Sequence, residues 1–448
     1  MNIERFKYIR PSWYFNLKPA IDHCYFPTYK TLRDNGYKFE LDERYDSKEA
    51  KELDCGYQAF QRGVILTKNS ESNNIWKNIN LSTNDEYRFI RKNISSFWVF
   101  YVLLLRILSF HNPIKELRGY FKSKKINKEL YHQKIINYSE YESFESKLIK
   151  SDPLVSVIIP TLGRYKYLKD VFRDLEKQNY SNFEVIVVDQ TEPFDESVYQ
   201  GWKLDLKYWY QDEKALWKAR NDAISQSKGD YILLYDDDSL IEPDWIAEHL
   251  KALDFFNADL SSGVSLSTVG AKIPVHYSYF RWSEQLDTGN VLIKRKVFEK
   301  IGLFDRQFEK QRMGDGEYGL RAYLAGFRNI SNPKAKRIHL KVGSGGLREM
   351  GSWDAFRPKK FFAPRPIPSV LYLFRKYHGN KAAFLSIIKD VPRGITPYKF
   401  KGNNRVLAIG ILISVILLPI VVVQVLRSWK ISSSMLKEGA KVTTLPKK

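Results

Sequence analysis

The chain has 448 residues, 44% of them hydrophobic, enough for two or three domains with real cores. Its two cysteines, Cys24 and Cys55, exclude a disulfide framework and a cysteine-based metal site, and fit reduced thiols in a cytosolic compartment. Of the net charge of +21, +19 lies between Pro333 and Lys448, where 23 Lys and Arg face four acids. That asymmetry calls for an anionic partner of the last quarter, nucleic acid or a lipid surface, and leaves the rest of the chain almost neutral.

Taken in order, residues 1–110 form a region without a readable motif. "MNIERFKYIR" has no apolar core, so no signal peptide is expected there. The run "FWVFYVLLLRILSF", Phe97–Phe110, is apolar but interrupted by Arg106 and too short to span a bilayer comfortably. It reads equally as a helix in the membrane interface or as a buried core helix. Residues 111–150 read as a basic helical connector.

The character changes at Asp152. "LVSVIIPT" is a near-continuous β-branched run, as expected of a strand buried on both faces. "RYKYLKDVFRDLEKQ" follows, with Leu168, Val171, Phe172 and Leu175 at helical spacing. "FEVIVVDQT" and "LKYWYQ" are the next strands, "ALWKARNDAISQSKG" a helix stopped by Gly229, and "DYILLYDDD" a fourth strand. Such alternation predicts an α/β domain over 151–345 with a mostly parallel central sheet. Ligands in these sheets bind beyond the carboxyl ends of the strands. Asp236, Asp237 and Asp238 fall at such an end. Three adjacent carboxylates repel one another, and a divalent cation neutralises them; a solvated acidic turn is the plainer reading.

Beyond this domain, 346–405 reads as a basic helical extension. "VLAIGILISVILLPIVVVQVL", Val406–Leu426, holds 21 residues without a charge and predicts a transmembrane helix, followed by a basic tail over 427–448. An apolar span amid the basic residues favours lipid over nucleic acid. Basic residues flank it on both sides, so the positive-inside rule leaves its orientation open.

The segments "VSVIIPTLGR", "EVIVVDQT", "ARNDAISQSKGDYILLYDDD", "TGNVLIKRKVFEKIGLFD" and "GDGEYGLRAYLAGF" occur in that order. With them the chain resembles the family-2 glycosyltransferases of GT-A fold, over roughly Val155–Trp353. The resemblance implies an inverting enzyme of bacterial surface-glycan type, associated with the cell membrane. It implies a nucleotide-diphosphate sugar donor, a glycan or lipid-linked acceptor, no nucleic acid, and a divalent metal, Mn²⁺ or Mg²⁺. By the same resemblance Thr161, Asp189, Arg220, Asp236 and Asp237 line the donor site, with Asp189 on the nucleobase and Asp236 on the ribose. Asp238 binds the metal, and His339, in "RIHLKVGSGG", is a further ligand. The glycine-rich loop Lys341–Arg348 is expected to be able to close over the diphosphate.

Asp315 aligns with the catalytic base. The family commonly has an acidic pair at this point, where this chain has Gly314, and Glu317 is the alternative carboxylate. Nucleotide-sugars are made in the cytoplasm, which places the catalytic domain on that side. A pyrophosphorylase of the same fold would need a glycine-rich basic loop after the first strand, and "PTLGRYKY" lacks one. The remaining alternative is a catalytically inactive, membrane-bound scaffold of the same fold that binds glycan or anionic lipid.

Overall fold

A computed structural model describes residues 3–21, 23–66, 79–267, 273–343, 345–347, 354–356, 360–397, 400 and 403–448. Short turns aside, its helices in chain order are α1 (Lys48–Gln61), α2 (Thr83–Asn93), α3 (Ser96–Leu108), α4 (Pro113–Lys122), α5 (Tyr165–Leu175), α6 (Leu216–Gln226), α7 (Trp245–Phe255), α8 (Gly314–Leu324), α9 (Pro368–Arg393), α10 (Asn404–Ile416) and α11 (Leu418–Glu438). The chain forms two compact units, and neither is continuous in sequence. One comprises Met1–Lys18, Asp22–Ile135 and Ser352–Glu438; the other Pro19–Ile21, Ile136–Gly351 and Gly439–Lys448.

This division redraws the segments read from sequence. The stretch 111–150 is not a free connector. Its α4 closes onto α2, where a Cβ on Gly119 would lie 2.6 Å from Tyr87. Glu116 of α4 accepts from Arg5 at 2.6 Å, from Tyr87 at 2.8 Å and from Arg106 at 2.9 Å. Four polar groups taken from water together need such mutual bonding. The apparently motif-free N-terminal region owes its core to aromatic rings: Phe15 stacks on Phe26 and Tyr57 with centroids 5.7 and 5.8 Å apart, and Phe6 meets Phe15 edge-on at 5.0 Å.

The C-terminal helices belong to the same unit. Leu371, Ala383, Ile387 and Val391 of α9 pack with Val421 of α11, flanked by Phe374, Leu417 and Trp429. The expected helix over 406–426 is not one rod. It breaks at Leu417, and α10 and α11 meet at 84°. Pro419 supplies the physical reason: it has no N–H to continue the ladder, and it disfavours helical backbone in the residue before it. No single helix among the described residues is long and apolar enough to cross a membrane.

The other unit is the predicted α/β domain. Its strands are β1 (Val155–Thr161), β2 (Phe183–Asp189), β3 (Leu206–Tyr210), β4 (Tyr231–Tyr235), β5 (Ser239–Ile241), β6 (Leu260–Ser267), β7 (Arg281–Trp282), β8 (Asn290–Lys294) and β9 (Asn329–His339). They form one sheet of order β3-β2-β1-β4-β8-β6-β9-β5, with β7 also on β9. Six strands run one way; β8, β5 and β7 run against them.

All seven residues of β1 are buried, as a two-sided strand requires. The buried stripe of α5 is the predicted Leu168, Val171, Phe172 and Leu175. Gly229 is not the stop of α6, which ends at Gln226. A Cβ there would lie 2.6 Å from Ser156 Oγ and 2.8 Å from the Leu154 carbonyl, so the glycine permits close packing on β1.

Candidate active site

The β1–β2 register pairs Thr161 with Asp189, so two of the expected site residues leave the sheet side by side. β4 lies on the other side of β1 and delivers Asp236–Asp238 at its carboxyl end. β9 completes the arrangement, since Ser239 pairs with His339 across the β5–β9 register.

Each carboxylate of the triplet has a separate environment. Asp236 is held between two guanidiniums, with Arg220 Nη2 on Oδ1 at 2.9 Å and Arg337 Nη1 on Oδ2 at 2.8 Å. Asp237 accepts from Thr161 Oγ1 at 2.7 Å and Arg164 Nη1 at 2.9 Å. Burial, with the Asp238 charge beside it, pushes the Asp237 carboxyl up to about 6 against the pull of Arg164. Asp238 lies 3.3 Å from Arg164 Nη1 through one oxygen and 3.3 Å from His339 Nε2 through the other. The oxygen facing His339, Oδ1, is buried and has no hydrogen-bond partner.

Ligand atoms of Asp236, Asp238 and His339 all lie within 4.8 Å of one another. An orphaned buried carboxylate oxygen, a second carboxylate and an imidazole suit a hard divalent cation with a preference for oxygen donors. The residues present therefore fit the metal expected at this position.

The two expected nucleotide contacts lie deeper than the sequence suggested. Asp189 is fully buried and already accepts from Tyr165 and Tyr199 hydroxyls at 2.8 and 2.7 Å and from the Thr191 amide at 2.8 Å. A nucleobase donor would share that carboxylate with two tyrosines. Arg220 is also fully buried. It grips the Thr288 hydroxyl and carbonyl at 2.9 and 2.8 Å as well as Asp236, and stacks 5.4 Å from the Trp217 ring. It orients Asp236 from beneath.

At the start of α8, Asp315 is half-buried and its Oδ1 accepts from the Gly316 amide at 2.9 Å. Glu317, two residues on, is fully buried and pairs with Arg321 at 3.0 Å. Arg321 also donates to the Ile301 and Leu303 carbonyls at 2.6 and 2.9 Å, so this pair fastens α8 and leaves Asp315 as the accessible carboxylate. Gly314 brings α8 against Trp217, where a Cβ would lie 2.5 Å from the ring, and so ties the α8 start to the Arg220 side of the site.

Sequence reasoning missed Arg164, Asp287 and Arg337. Arg337 is buried and joins Asp236 to Asp287, which it meets at 3.0 and 2.9 Å. A period-two reading of "RIHL" could have found it, because Arg337 and His339 share a face of β9. Arg164 follows Gly163, which turns the chain with φ +66. Gly346 packs on its guanidinium, where a Cβ would lie 2.7 Å from Nη2. The loop expected to cover a diphosphate thus abuts the arginine that holds Asp237 and Asp238, and Arg348 at its end lies outside the described residues. Gly289, of "TGN", lets the chain pass these side chains: a Cβ there would lie 2.1 Å from Asp236 Oδ2 and 2.3 Å from Arg337 Nη1.

This geometry places a cation-ready acidic cluster beyond the carboxyl ends of the strands in a mostly parallel α/β domain of GT-A type. Residues 156–307 match Glycosyl transferase family 2. Over these residues the chain is similar to the family-2 glycosyltransferases. It is 25% identical over 169 residues to Glycosyltransferase GlyA of Streptococcus pneumoniae serotype 4, covering 36% of this chain and 23% of that one. It is 25% identical over 240 residues to Glycosyltransferase GlyG of the same organism, covering 51% and 72%. It spans 55% of the uncharacterized glycosyltransferase RT0329 of Rickettsia typhi, and so about half or less of the length of several relatives it matches. Among solved structures it is similar to S. aureus TarS 1-349 in complex with UDP-GlcNAc, with TM-score 0.40 and 18% identity over 64% of this chain and 92% of that one.

Proposed function

We propose that the protein is an inverting, metal-dependent glycosyltransferase of cell-surface polysaccharide synthesis. It moves a hexosyl or related sugar from a nucleotide-diphosphate donor to a glycan or lipid-linked acceptor at the cytoplasmic face of the cell membrane. The observation that carries this reading is the Asp236–Asp238–His339 cluster with its orphaned Asp238 oxygen, at the carboxyl end of the central strand. Asp238 and His339 would hold Mn²⁺ or Mg²⁺, with Asp236 beside them. The cation, when bound, neutralises the diphosphate of the donor and of the departing nucleotide. Thr161, Asp189 and Asp237 shape the nucleotide pocket. Arg220 and Arg337 fix the position of Asp236, and Arg164 places positive charge where a diphosphate would lie.

Asp315 is the base. A sugar hydroxyl is a poor nucleophile near neutral pH, and a carboxylate within hydrogen-bond reach takes its proton as it attacks the anomeric carbon. One displacement inverts that centre. The retained acidic cluster and the accessible Asp315 favour this over an inactive scaffold. The test is a panel of nucleotide-sugars with Mn²⁺ or Mg²⁺, read as release of nucleotide diphosphate with and without acceptor glycans. The expected result is cation-dependent turnover of one donor; full activity in excess chelator, or no turnover of any donor, would reject the assignment.

A further inference from the structure

Residues 439–448, which follow the apolar helices, rejoin the catalytic domain. The Leu303 amide donates to the Thr443 carbonyl at 2.8 Å, and the Arg306 amide to that of Lys441 at 3.2 Å. The Lys441 amide bonds Asp305 Oδ1 at 2.9 Å, and Gln307 Nε2 bonds the Gly439 carbonyl at 2.8 Å. Leu445 is buried, and Gly302, at φ +79, admits Val442 where a Cβ would lie 2.6 Å away. A helix that crossed the bilayer once would carry this segment to the face opposite the donor site. The segment is part of the same domain as the donor site, so the chain must leave the membrane on the side where it entered.

Helix lengths agree. α10 has 13 residues, about 20 Å, and the apolar start of α11, Leu418–Leu426, is about 14 Å long, against a hydrocarbon core of about 30 Å. Neither arm spans. At their 84° elbow Leu412, Ile416 and Leu418 are exposed, while Val421, Gln424 and Ser428 face inward.

A second apolar surface lies on the same unit. α3 buries Val99, Val102 and Leu103 and leaves Phe97, Phe100, Leu104 and Leu108 exposed along its other face. It adjoins α9, since Lys389 and Arg393 sit 5.7 and 5.6 Å from the Trp98 ring. α4 continues it with exposed Ile114 and Phe121 beside exposed Lys115, Arg118 and Lys122.

The charge on these surfaces is mostly positive, with Glu4 paired to Arg106 and Asp390 to Lys389. Glu116 is the one acid between residues 87 and 128, and it is buried on Arg5 and Arg106. No acid occurs between Asp390 and Glu438. Alongside α11, a cavity of about 740 Å³ is lined by Lys360, Phe361, Phe362, Arg427, Lys430 and Ile431. Apolar side chains bordered mainly by cations match the acyl and phosphate layers of an anionic leaflet.

We infer that this unit is a monotopic anchor. The α10–α11 elbow and the outer faces of α3 and α4 enter one leaflet of a bilayer containing anionic phospholipid, and residues on both sides of the elbow stay on the side of the catalytic domain. The inference stands on connectivity and surface chemistry, independently of the reaction catalysed.

It is tested on the full chain with an epitope after Lys448, in inverted and right-side-out membrane vesicles treated with an impermeant protease. The epitope is expected to be cleaved in the vesicles that expose the donor site to added nucleotide-sugar, and protected in the others. The reverse pattern overturns the anchor and restores a spanning helix. Flotation of the purified chain with phosphatidylglycerol–phosphatidylcholine vesicles should retain it at least about tenfold better than phosphatidylcholine alone. Leu108→Glu with Ile416→Glu should weaken retention about tenfold or more, with the melting temperature and donor hydrolysis unchanged. Equal retention of the double variant, or no preference for anionic vesicles, refutes the leaflet assignment. Donor hydrolysis in the same samples separates a failed anchor from a failed enzyme.

Discussion

Asp315 and Glu317 stand two residues apart on one helix and have opposite roles. Asp315→Asn keeps the shape and removes the proposed proton acceptor, so kcat should fall by about 10²–10⁴-fold while donor affinity, measured by titration calorimetry, holds. Glu317→Gln should act on stability instead. It leaves the Arg321 guanidinium without its buried partner at 3.0 Å and costs roughly 3 kcal/mol in urea unfolding. Gly289 has a comparable constraint from close approach. Gly289→Ala drives a methyl into Asp236 and Arg337, so donor and cation affinity should drop together, by tenfold or more if the displaced contacts are worth about 1–3 kcal/mol. A Gly289→Ala protein with unchanged affinity for both would show that the Asp236–Arg337 pair does not organise the site.

At the scale of elements, the first half of the catalytic sheet was legible and the second was not. β1, β2 and β4 are buried on both faces and announce themselves as apolar runs; the helices between them repeat at 3.6 residues. β5 and β7 have three and two residues, too short to carry a period, and β9 is an 11-residue strand that alternates charged and apolar residues only near its end. The candidate cation cluster was readable from Asp236–Asp238 and His339, but the arginines that hold it depend on a register that pairs distant segments. Much the same holds for the N-terminal unit, whose buried bonds join Arg5 to Glu116 across 111 residues.

His249 of α7 shows how such register matters for stability. Its ring nitrogens meet Ser261 Oγ of β6 at 2.9 Å and Asn290 Oδ1 of β8 at 3.0 Å, and burial lowers its pKa to about 4. The unfolded chain binds that proton near pH 6.5, so between about 6.5 and 4 unfolding takes up a proton and stability falls as the pH falls, by roughly 3 kcal/mol in all. Asp237, raised to about 6, contributes with the opposite sign over nearly the same window, so the His249 contribution is read as the difference in urea midpoints between the parent chain and a His249 variant. His249→Gln should remove this contribution, and a slope unchanged by the substitution would place the titration elsewhere.

For the whole molecule, the order of the chain and the order of its domains differ, and this changes what a truncation means. The sequence placed the helix over 406–426 and the basic tail over 427–448 outside the domain of 151–345. Residues 404–438 lie in the other unit, but 439–448 are built into the catalytic one, through Leu445, Val442 and the bonds to Leu303, Asp305 and Arg306. Ending the chain at Glu438 removes a buried leucine worth about 1.5–3 kcal/mol and leaves the Leu303 amide and Asp305 without those partners. The truncated protein should melt several degrees lower and lose stability equally in detergent and in bilayers, because the loss is internal to the domain. Leu445→Ala, with the backbone bonds intact, should cost about 2–3 kcal/mol and leave membrane retention unchanged. If both variants melt with the full chain, the last ten residues are not part of the catalytic fold, and the topological case for a same-side exit from the membrane goes with them.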